Sequence, residues 1–319
     1  MYTEKSSLTY SSFIKNFLPG RLFNISLVLA IALTFATQHY IQAESTMTNL
    51  QKLDQPNILS MLFHPQKITQ STPPVGSTNI DIRVAEGVTI GSRLFTADKE
   101  APVILFFHGN GEIVPDYDDI GPVYTKLGIN FLITDYRGYG WSTGTPSASA
   151  LINDGRIIYQ EVTKWLTDNA YTGKLFVMGR SMGSSPAIDI AKEYPENLSG
   201  LIIESGFAET IPLAMTLGID LIASGISEED GFNNASKISS VSIPTFILHG
   251  QEDSLIPLWQ AQKLHAACGA KSKELQIVPG ADHNTIIAVA GMLYFQAIKV
   301  YIDKVTGVSS WRNRRKKFK

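Results

Sequence analysis

Residues 175–183 read L-F-V-M-G-R-S-M-G, and this stretch decides the fold of the chain. Its first four residues are apolar throughout, which is typical of a strand that is buried on both faces of a parallel sheet. The pattern G-x-S-x-G follows at once, and a helix is predicted over residues 182–193. A serine at such a sharp strand-to-helix turn exposes its hydroxyl at the carboxyl end of the sheet. Ser181 is therefore the predicted nucleophile, with an ordinary turn serine as the alternative.

Short apolar runs alternate with longer helical stretches from about residue 80 onward. The predicted strands are Ile80–Val84, Val88–Phe95, Val103–Phe107, Phe131–Thr134, Leu175–Met178, Leu201–Ile203, Thr245–Leu248 and Leu275–Val278. The predicted helices cover residues 149–169, 182–193, 257–267 and 285–304. No helix separates the first two strands, so we expect them to form an antiparallel hairpin at the sheet edge. The alternation as a whole predicts a doubly wound, mostly parallel α/β sheet.

One long stretch between two predicted strands interrupts this alternation. Residues 207–242 are too many for a simple connection, and their apolar part, I-P-L-A-M-T-L-G-I-D-L-I-A, predicts one or two short helices. We interpret the stretch as a short lid-like insertion that contributes an acyl-chain pocket. A crossover helix with a long loop is the alternative.

A serine hydroxyl needs a base, and the base needs a carboxylate that fixes its tautomer. His283 is the best placed of six histidines, because it follows the last predicted strand through a short loop and precedes the final helix. Asp253, just past the strand T-F-I-L, is the predicted carboxylate. Glu252 and Glu204 are the alternatives for that role.

Two backbone N–H groups are predicted to stabilise the oxyanion of an acyl-transfer reaction. Met182 supplies one at the start of its helix, and Asn110 supplies the other from the loop H-G-N-G after the strand V-I-L-F-F. The glycines there let the backbone turn toward a ligand, and a tight turn without function is the alternative. His108 and His249 each end a strand in a His-Gly pair, for which we predict loop-shaping roles.

In this order and spacing, the motifs resemble the α/β-hydrolase superfamily over about residues 84–303. The chain is most similar to small serine esterases and thioesterases whose oxyanion loop reads H-G-N. Residues 135–144, D-Y-R-G-Y-G-W-S-T-G, and the H-G-x-x-D of residues 249–253 match further motifs of that group. The resemblance implies attack of the serine on an ester or thioester carbonyl, an acyl-enzyme, and hydrolysis by water without a metal or an organic cofactor.

Two other functions stay open at this point. A serine peptidase of the same fold would use the same residues, and a binding module on this fold would use none of them. All three members of the predicted triad are present, which argues against the binding module. The expected partner is a small acyl ester or thioester.

Composition excludes several classes of protein. The 319 residues are 44% hydrophobic and 18% charged, which is ordinary for a globular protein and argues against general disorder. Cys268 is the only cysteine, so an internal disulfide and a cysteine-rich metal site are excluded. The formal net charge of −2 gives no overall bias toward nucleic acid, which is not an expected partner.

The two ends carry signals of their own. Three basic residues precede a mostly apolar run at residues 22–37, in the order of a signal peptide or an uncleaved membrane anchor. The expected location is therefore membrane-anchored or exported, periplasmic or extracytoplasmic, with a buried helix of the globular domain as the alternative.

The last eight residues hold six of the 27 Lys and Arg, which is typical either of a solvated tail or of one that binds an anionic surface. The predicted segments are 1–43 (signal peptide or anchor), 44–79 (lead-in), 80–304 (hydrolase domain) and 305–319 (basic tail).

Overall fold

The computed structural model describes residues 50–308, which contain an eight-stranded sheet with helices on both of its faces. The strands are β1 (Ser77–Ala85), β2 (Val88–Phe95), β3 (Val103–Phe107), β4 (Asn130–Thr134), β5 (Leu175–Arg180), β6 (Gly200–Glu204), β7 (Thr245–Gly250) and β8 (Lys273–Val278). The α-helices are α1 (Pro56–Leu62), α2 (Gly121–Lys126), α3 (Ala148–Asp168), α4 (Ser184–Glu193), α5 (Thr210–Thr216), α6 (Asn234–Ser239), α7 (Leu258–Ala267), α8 (Ile286–Ala290) and α9 (Met292–Thr306). Short 3-10 helices span Leu50–Asp54, Val114–Tyr117, Ser181–Gly183 and Glu228–Asp230.

The sheet has the order β1-β2-β4-β3-β5-β6-β7-β8. β1 and β2 form the predicted antiparallel hairpin at one edge, and β2 also pairs antiparallel with β4. The remaining neighbours, from β4 to β8, pair in parallel. All the predicted strands are present, and the mostly parallel, doubly wound α/β prediction is confirmed.

The uniformly apolar strands are buried on both faces, as their sequence predicts. Successive side chains of a strand point to opposite faces. In β3, Leu105 therefore joins a hydrophobic cluster on one face, with Ile158 of α3 and Ile188 of α4. Phe106 joins a second cluster on the other face, with Ile298 of α9. Helices cover both faces, and so alternation between apolar and polar residues is not needed in these strands.

The final predicted helix, residues 285–304, is wrong as a single element. The structure divides it into α8 and α9 at Gly291, which has φ 53° and ψ −134°. A backbone with these angles leaves the helical region, and glycine adopts it without the clash that a Cβ would cause. α9 then continues to Thr306, two residues past the predicted end at 304.

The lead-in before β1 and the lid-like insertion after β6 also contribute residues to the core. Leu53 and Ile58, from the predicted lead-in, are fully buried in the first hydrophobic cluster. The lid-like insertion contains α5, in the apolar part where one or two short helices are predicted, and also α6, which lies beyond that part. Phe207 and Phe232 stack edge to face within it at a centroid distance of 5.7 Å, while Met215 remains exposed.

The predicted export or anchor segment, residues 1–43, lies outside the described residues. The basic stretch from residue 309 onward does so too. Between residues 50 and 308, no helix is long and apolar enough to cross a membrane.

Candidate active site

The serine of the G-x-S-x-G pattern sits on the sharp turn that the sequence predicts. Ser181 has φ 51°, a left-handed conformation that residues with a Cβ rarely adopt. The turn leaves β5 and enters the 3-10 helix Ser181–Gly183, which leads directly into α4. A Cβ added to Gly183 would clash with the carbonyl oxygen of Phe107, and one added to Gly179 would clash with that of Gly183. The two glycines are therefore required by close backbone packing around the serine.

Three side chains from three loops meet at the carboxyl ends of the strands. Nε2 of His283 lies 3.0 Å from Oγ of Ser181, and Nδ1 of His283 lies 2.8 Å from Oδ2 of Asp253. The other oxygen of Asp253 accepts hydrogen bonds from the backbone N–H groups of Leu255 (3.1 Å) and Ile256 (2.8 Å). A carboxylate held in this way accepts a hydrogen bond from Nδ1–H of His283 and leaves the lone pair of Nε2 facing the serine hydroxyl.

These three side chains are nearly closed off from solvent. Ser181 is 7% exposed, His283 6% and Asp253 4%. Charges and hydrogen bonds interact more strongly in such a site than they do in water, because the effective dielectric constant is lower.

The two alternative carboxylates lie elsewhere. Glu204 is buried at the end of β6, where its Oε2 accepts a hydrogen bond from Tyr294 Oη at 2.6 Å and its Oε1 lies 3.3 Å from Nε of Arg180. Burial raises the pKa of Glu204 above its ordinary value. Glu252 is exposed to solvent. Of the three carboxylates that the sequence left open, Asp253 is the one that contacts the histidine.

The histidine that ends β7 shapes the aspartate loop, as predicted. Nε2 of His249 donates to the carbonyl oxygen of Ile256 at 2.7 Å and so joins the two ends of the loop that carries Asp253. Burial lowers the pKa of His249, which favours the neutral ring.

The histidine that ends β3 shapes the next loop in a similar way. Nδ1 of His108 donates to the carbonyl oxygen of Gly109 at 2.7 Å, and its Nε2 lies 3.2 Å from Oδ1 of Asp135. The hydroxyl of Tyr136 donates to the carbonyl oxygen of His108 at 2.6 Å. Asp135 and Tyr136 of the D-Y-R-G motif thus hold His108, the first residue of the H-G-N-G loop.

The side chain of Asn110 also holds this loop in place. Its Nδ2 donates to the carbonyl oxygen of Leu62 at 2.8 Å. Its Oδ1 accepts hydrogen bonds from Tyr139 Oη at 2.6 Å and from the backbone N–H of His64 at 3.0 Å. Sequence reasoning assigned Asn110 a role only through its backbone. The sequence feature that could have indicated a role for its side chain is Tyr139, the second tyrosine of the D-Y-R-G-Y motif.

The second predicted oxyanion donor lies on the other side of the turn. Met182 is buried in the 3-10 helix Ser181–Gly183, and N–H groups in a first helical turn have no partner within the helix. A Cβ on Gly183 would also meet the carbonyl oxygen of His108, so the serine turn packs directly against the start of the loop that carries Asn110. The structure therefore brings both predicted donor segments to the same end of the sheet.

Sequence reasoning missed two charged residues beside the site. Arg180, the variable residue before the serine, is buried, and its guanidinium forms an ion pair with Glu112, which directly follows the H-G-N-G loop. A charged residue in the variable position of the motif carries no signal of its partner, because that partner lies 68 residues away in the sequence.

Among residues 50–308, no group of three or more His, Cys, Asp and Glu side chains is arranged to hold a metal ion.

The strand order and the serine turn define an α/β-hydrolase fold. A family described as "Serine aminopeptidase, S33" matches residues 98–226, from the loop before β3 into the lid-like insertion. This match agrees with the resemblance to the α/β-hydrolase superfamily that the motifs predicted.

The chain is also similar to several individual proteins. Protein bem46 of Schizosaccharomyces pombe is 29% identical over 233 residues, which cover 70% of this chain and 75% of that protein. Lysophosphatidylserine lipase ABHD12 of Danio rerio is 30% identical over 191 residues, which cover 54% of this chain and 49% of the lipase. The esterase Pf2001 of Pyrococcus furiosus has a similar fold, with a TM-score of 0.62 at 18% identity, over 76% of this chain and 98% of that one.

Proposed function

We propose that this hydrolase cleaves carboxylic esters or thioesters through an acyl-enzyme on Ser181. The observation that carries the proposal is the continuous contact from Ser181 Oγ through the ring of His283 to Asp253, at 3.0 and 2.8 Å. Distances of this size are what proton transfer between a nucleophile and its base requires.

In the proposed mechanism, Ser181 Oγ attacks the substrate carbonyl while Nε2 of His283 takes the hydroxyl proton. Asp253 stabilises the imidazolium that forms. The backbone N–H groups of Asn110 and Met182 donate to the oxyanion. The imidazolium then protonates the leaving alcohol or thiol, which departs and leaves the acyl-enzyme. Water, deprotonated by His283, hydrolyses this ester and restores the serine.

The choice of ester or thioester rests on the apolar insertion after β6 and on the relatives. An esterase and a lysophosphatidylserine lipase are among the similar proteins. The insertion has a buried aromatic pair, Phe207 and Phe232, and exposes Met215 and Ile222. We propose that residues 207–242 act as a lid and contribute the pocket for an acyl chain.

A serine peptidase is the second candidate. The match to a family described as a serine aminopeptidase favours it, and the same three side chains would serve for an amide. Paired substrates separate the two readings: p-nitrophenyl esters of graded chain length against aminoacyl p-nitroanilides. Faster turnover of the anilides, compared as kcat/KM, would replace the esterase proposal.

The experiment that tests the proposed function is covalent labelling by a fluorophosphonate, which phosphonylates only an activated serine. We expect the full chain to be labelled and the variants Ser181→Ala and His283→Ala to lose labelling. Ser236→Ala and His265→Ala, in α6 and α7, are matched controls that should label normally. Circular dichroism checks that each variant is folded. A folded wild-type chain that stays unlabelled would favour the non-catalytic binding module instead.

For location, we propose that residues 1–43 export the chain or anchor it to a membrane. The proposal rests on the positive-then-apolar order of these residues. Cell fractionation of the full chain and of a chain without residues 1–43 tests it. The shortened chain should be soluble and active, and equal distribution of both chains in the soluble cytoplasmic fraction would contradict the proposal.

A further inference from the structure

The residue before the serine reaches the loop that carries the histidine. Arg180 ends β5, and its Nη2 donates to the backbone carbonyl of His283 at 2.9 Å and to Oδ1 of Asn284 at 3.0 Å. The carbonyl of His283 is thereby fixed from one side, while Asp253 holds its ring from the other. The backbone and the ring of His283 are therefore each held by a charged group.

The same guanidinium reaches the H-G-N-G loop on its other side. Nη1 of Arg180 forms an ion pair with Oε1 of Glu112. Oε2 of Glu112 accepts hydrogen bonds from the backbone N–H of Gly109 and from Tyr117 Oη, both at 2.7 Å. The N–H of Gly109 is therefore occupied by this carboxylate, which is consistent with the next N–H along the loop, that of Asn110, as the proposed oxyanion donor.

A third contact holds the arginine itself. Nε of Arg180 lies 3.3 Å from Oε1 of Glu204, whose other oxygen is fixed by Tyr294. Burial disfavours the charge of Arg180, but Glu112 and Glu204 outweigh that effect and raise its pKa, so the guanidinium stays charged. Only a planar group with several diverging N–H donors can make all of these contacts at once, and a lysine ammonium cannot reproduce them.

We propose that Arg180 is a positioning residue, which holds the His283 loop and the oxyanion loop in register with the serine turn. This inference rests on the proposed function and adds to it the side chain that aligns the serine turn, the histidine loop and the oxyanion loop. The alignment matters because a displacement of a reacting group by about 1 Å can lower the rate of a reaction about 100-fold.

The test compares Arg180→Lys with Arg156→Lys. Arg156 makes a similar forked contact with a buried carboxylate, Asp189, at 2.6 and 3.1 Å, but it joins α3 to α4 away from the serine. We expect Arg180→Lys to lower kcat for a p-nitrophenyl ester by about 10- to 100-fold with KM little changed. Its fluorophosphonate labelling rate should fall in parallel. Arg156→Lys should lose thermal stability but keep its kcat and its labelling rate.

A second variant keeps the proposal testable if Arg180→Lys does not fold. Glu112→Gln removes the charge that links Arg180 to Gly109 and should also lower kcat more than it raises KM. If both substitutions break one linkage, the double variant should lose less than the product of the two single effects.

The outcomes separate this inference from the proposed function. If the wild-type chain is labelled and Arg180→Lys keeps its kcat, or loses no more than Arg156→Lys, the positioning role is overturned and the serine hydrolase stands. If the wild-type chain is not labelled, both fall. A loss of kcat confined to the Arg180 and Glu112 variants supports the positioning role.

Discussion

Nδ1 of His283 lies 2.8 Å from Oδ2 of Asp253, and this contact joins the loops that follow β8 and β7. The other oxygen of Asp253 is held by two backbone N–H groups, so the carboxylate cannot turn away without losing them. The orientation of the imidazole therefore depends on the charge and the acceptor capacity of this one side chain.

The first prediction concerns that carboxylate. In Asp253→Asn, the amide NH2 can face Nδ1, which favours the tautomer with its proton on Nε2 and removes the lone pair that the serine needs. We expect kcat/KM for an ester to fall about 1,000- to 10,000-fold, as it does when the same change is made in other serine hydrolases. Steady-state hydrolysis measures the effect, with the neighbouring Glu252→Gln as a control near wild type. If the kcat/KM of Asp253→Asn stays within tenfold of the wild-type value, Asp253 does not have the role of orienting His283.

The second prediction concerns the loop that carries an oxyanion donor. Asn110→Ala removes the side-chain contacts with Leu62, His64 and Tyr139 but keeps the backbone N–H. A loosened donor should lower kcat by about 10- to 100-fold, less than the loss of a donor itself. Tyr139→Phe removes one of these contacts and should have a smaller effect in the same assay. Full activity of Asn110→Ala would mean that the loop holds its shape without this side chain.

The third prediction concerns the packing of the serine turn. The methyl group of Gly183→Ala would clash with backbone oxygens of Phe107 and His108, which can move away only if the end of β3 shifts with them. We expect a loss of about 3 kcal/mol in the free energy of unfolding. Gly218→Ala is the control: it has φ +78° but no neighbouring atom within 4 Å, so strain alone should cost about 1 to 2 kcal/mol. Equal losses in urea denaturation would show that the backbone at the turn can relax.

The fourth prediction concerns pH and a buried ion pair away from the site. Burial disfavours the charge of Asp189, but Lys237 and Arg156 outweigh burial and lower its pKa below the ordinary value of 3.8. A lowered pKa means that the unfolded chain takes up this proton first, so the stabilisation is present above about pH 4 and is lost as the pH falls below that value. Asp189→Asn should therefore be less stable at neutral pH, by about 2 to 3 kcal/mol, and should lose less further stability in acid.

Unfolding curves at several pH values between about 2 and 7 check this fourth prediction. Asp168→Asn, which alters an exposed pair with Lys164, should follow the wild-type curve, because exposed pairs contribute little. Parallel curves for wild type and Asp189→Asn would assign the acid loss to other groups.

Much of the fold is readable from the sequence because its signals are local. A strand buried on both faces must be a short apolar run, and such runs mark the positions of β3, β4, β5 and β7. The turn around Ser181 needs glycines at fixed spacing, and so the motif also marks the end of β5. The break at Gly291 was not foreseen, since an isolated glycine within a helical pattern is usually tolerated.

The sequence by itself therefore determined the α/β class, the strands, and the order of serine, aspartate and histidine along the chain. Only the tertiary structure decided which of three carboxylates contacts His283, that the side chain of Asn110 is tied to Leu62, and that Arg180 links two loops of the site. The physical reason is that secondary structure follows from the periodicity of neighbouring residues. Contacts between loops depend instead on how strands far apart in the sequence are placed side by side in the sheet.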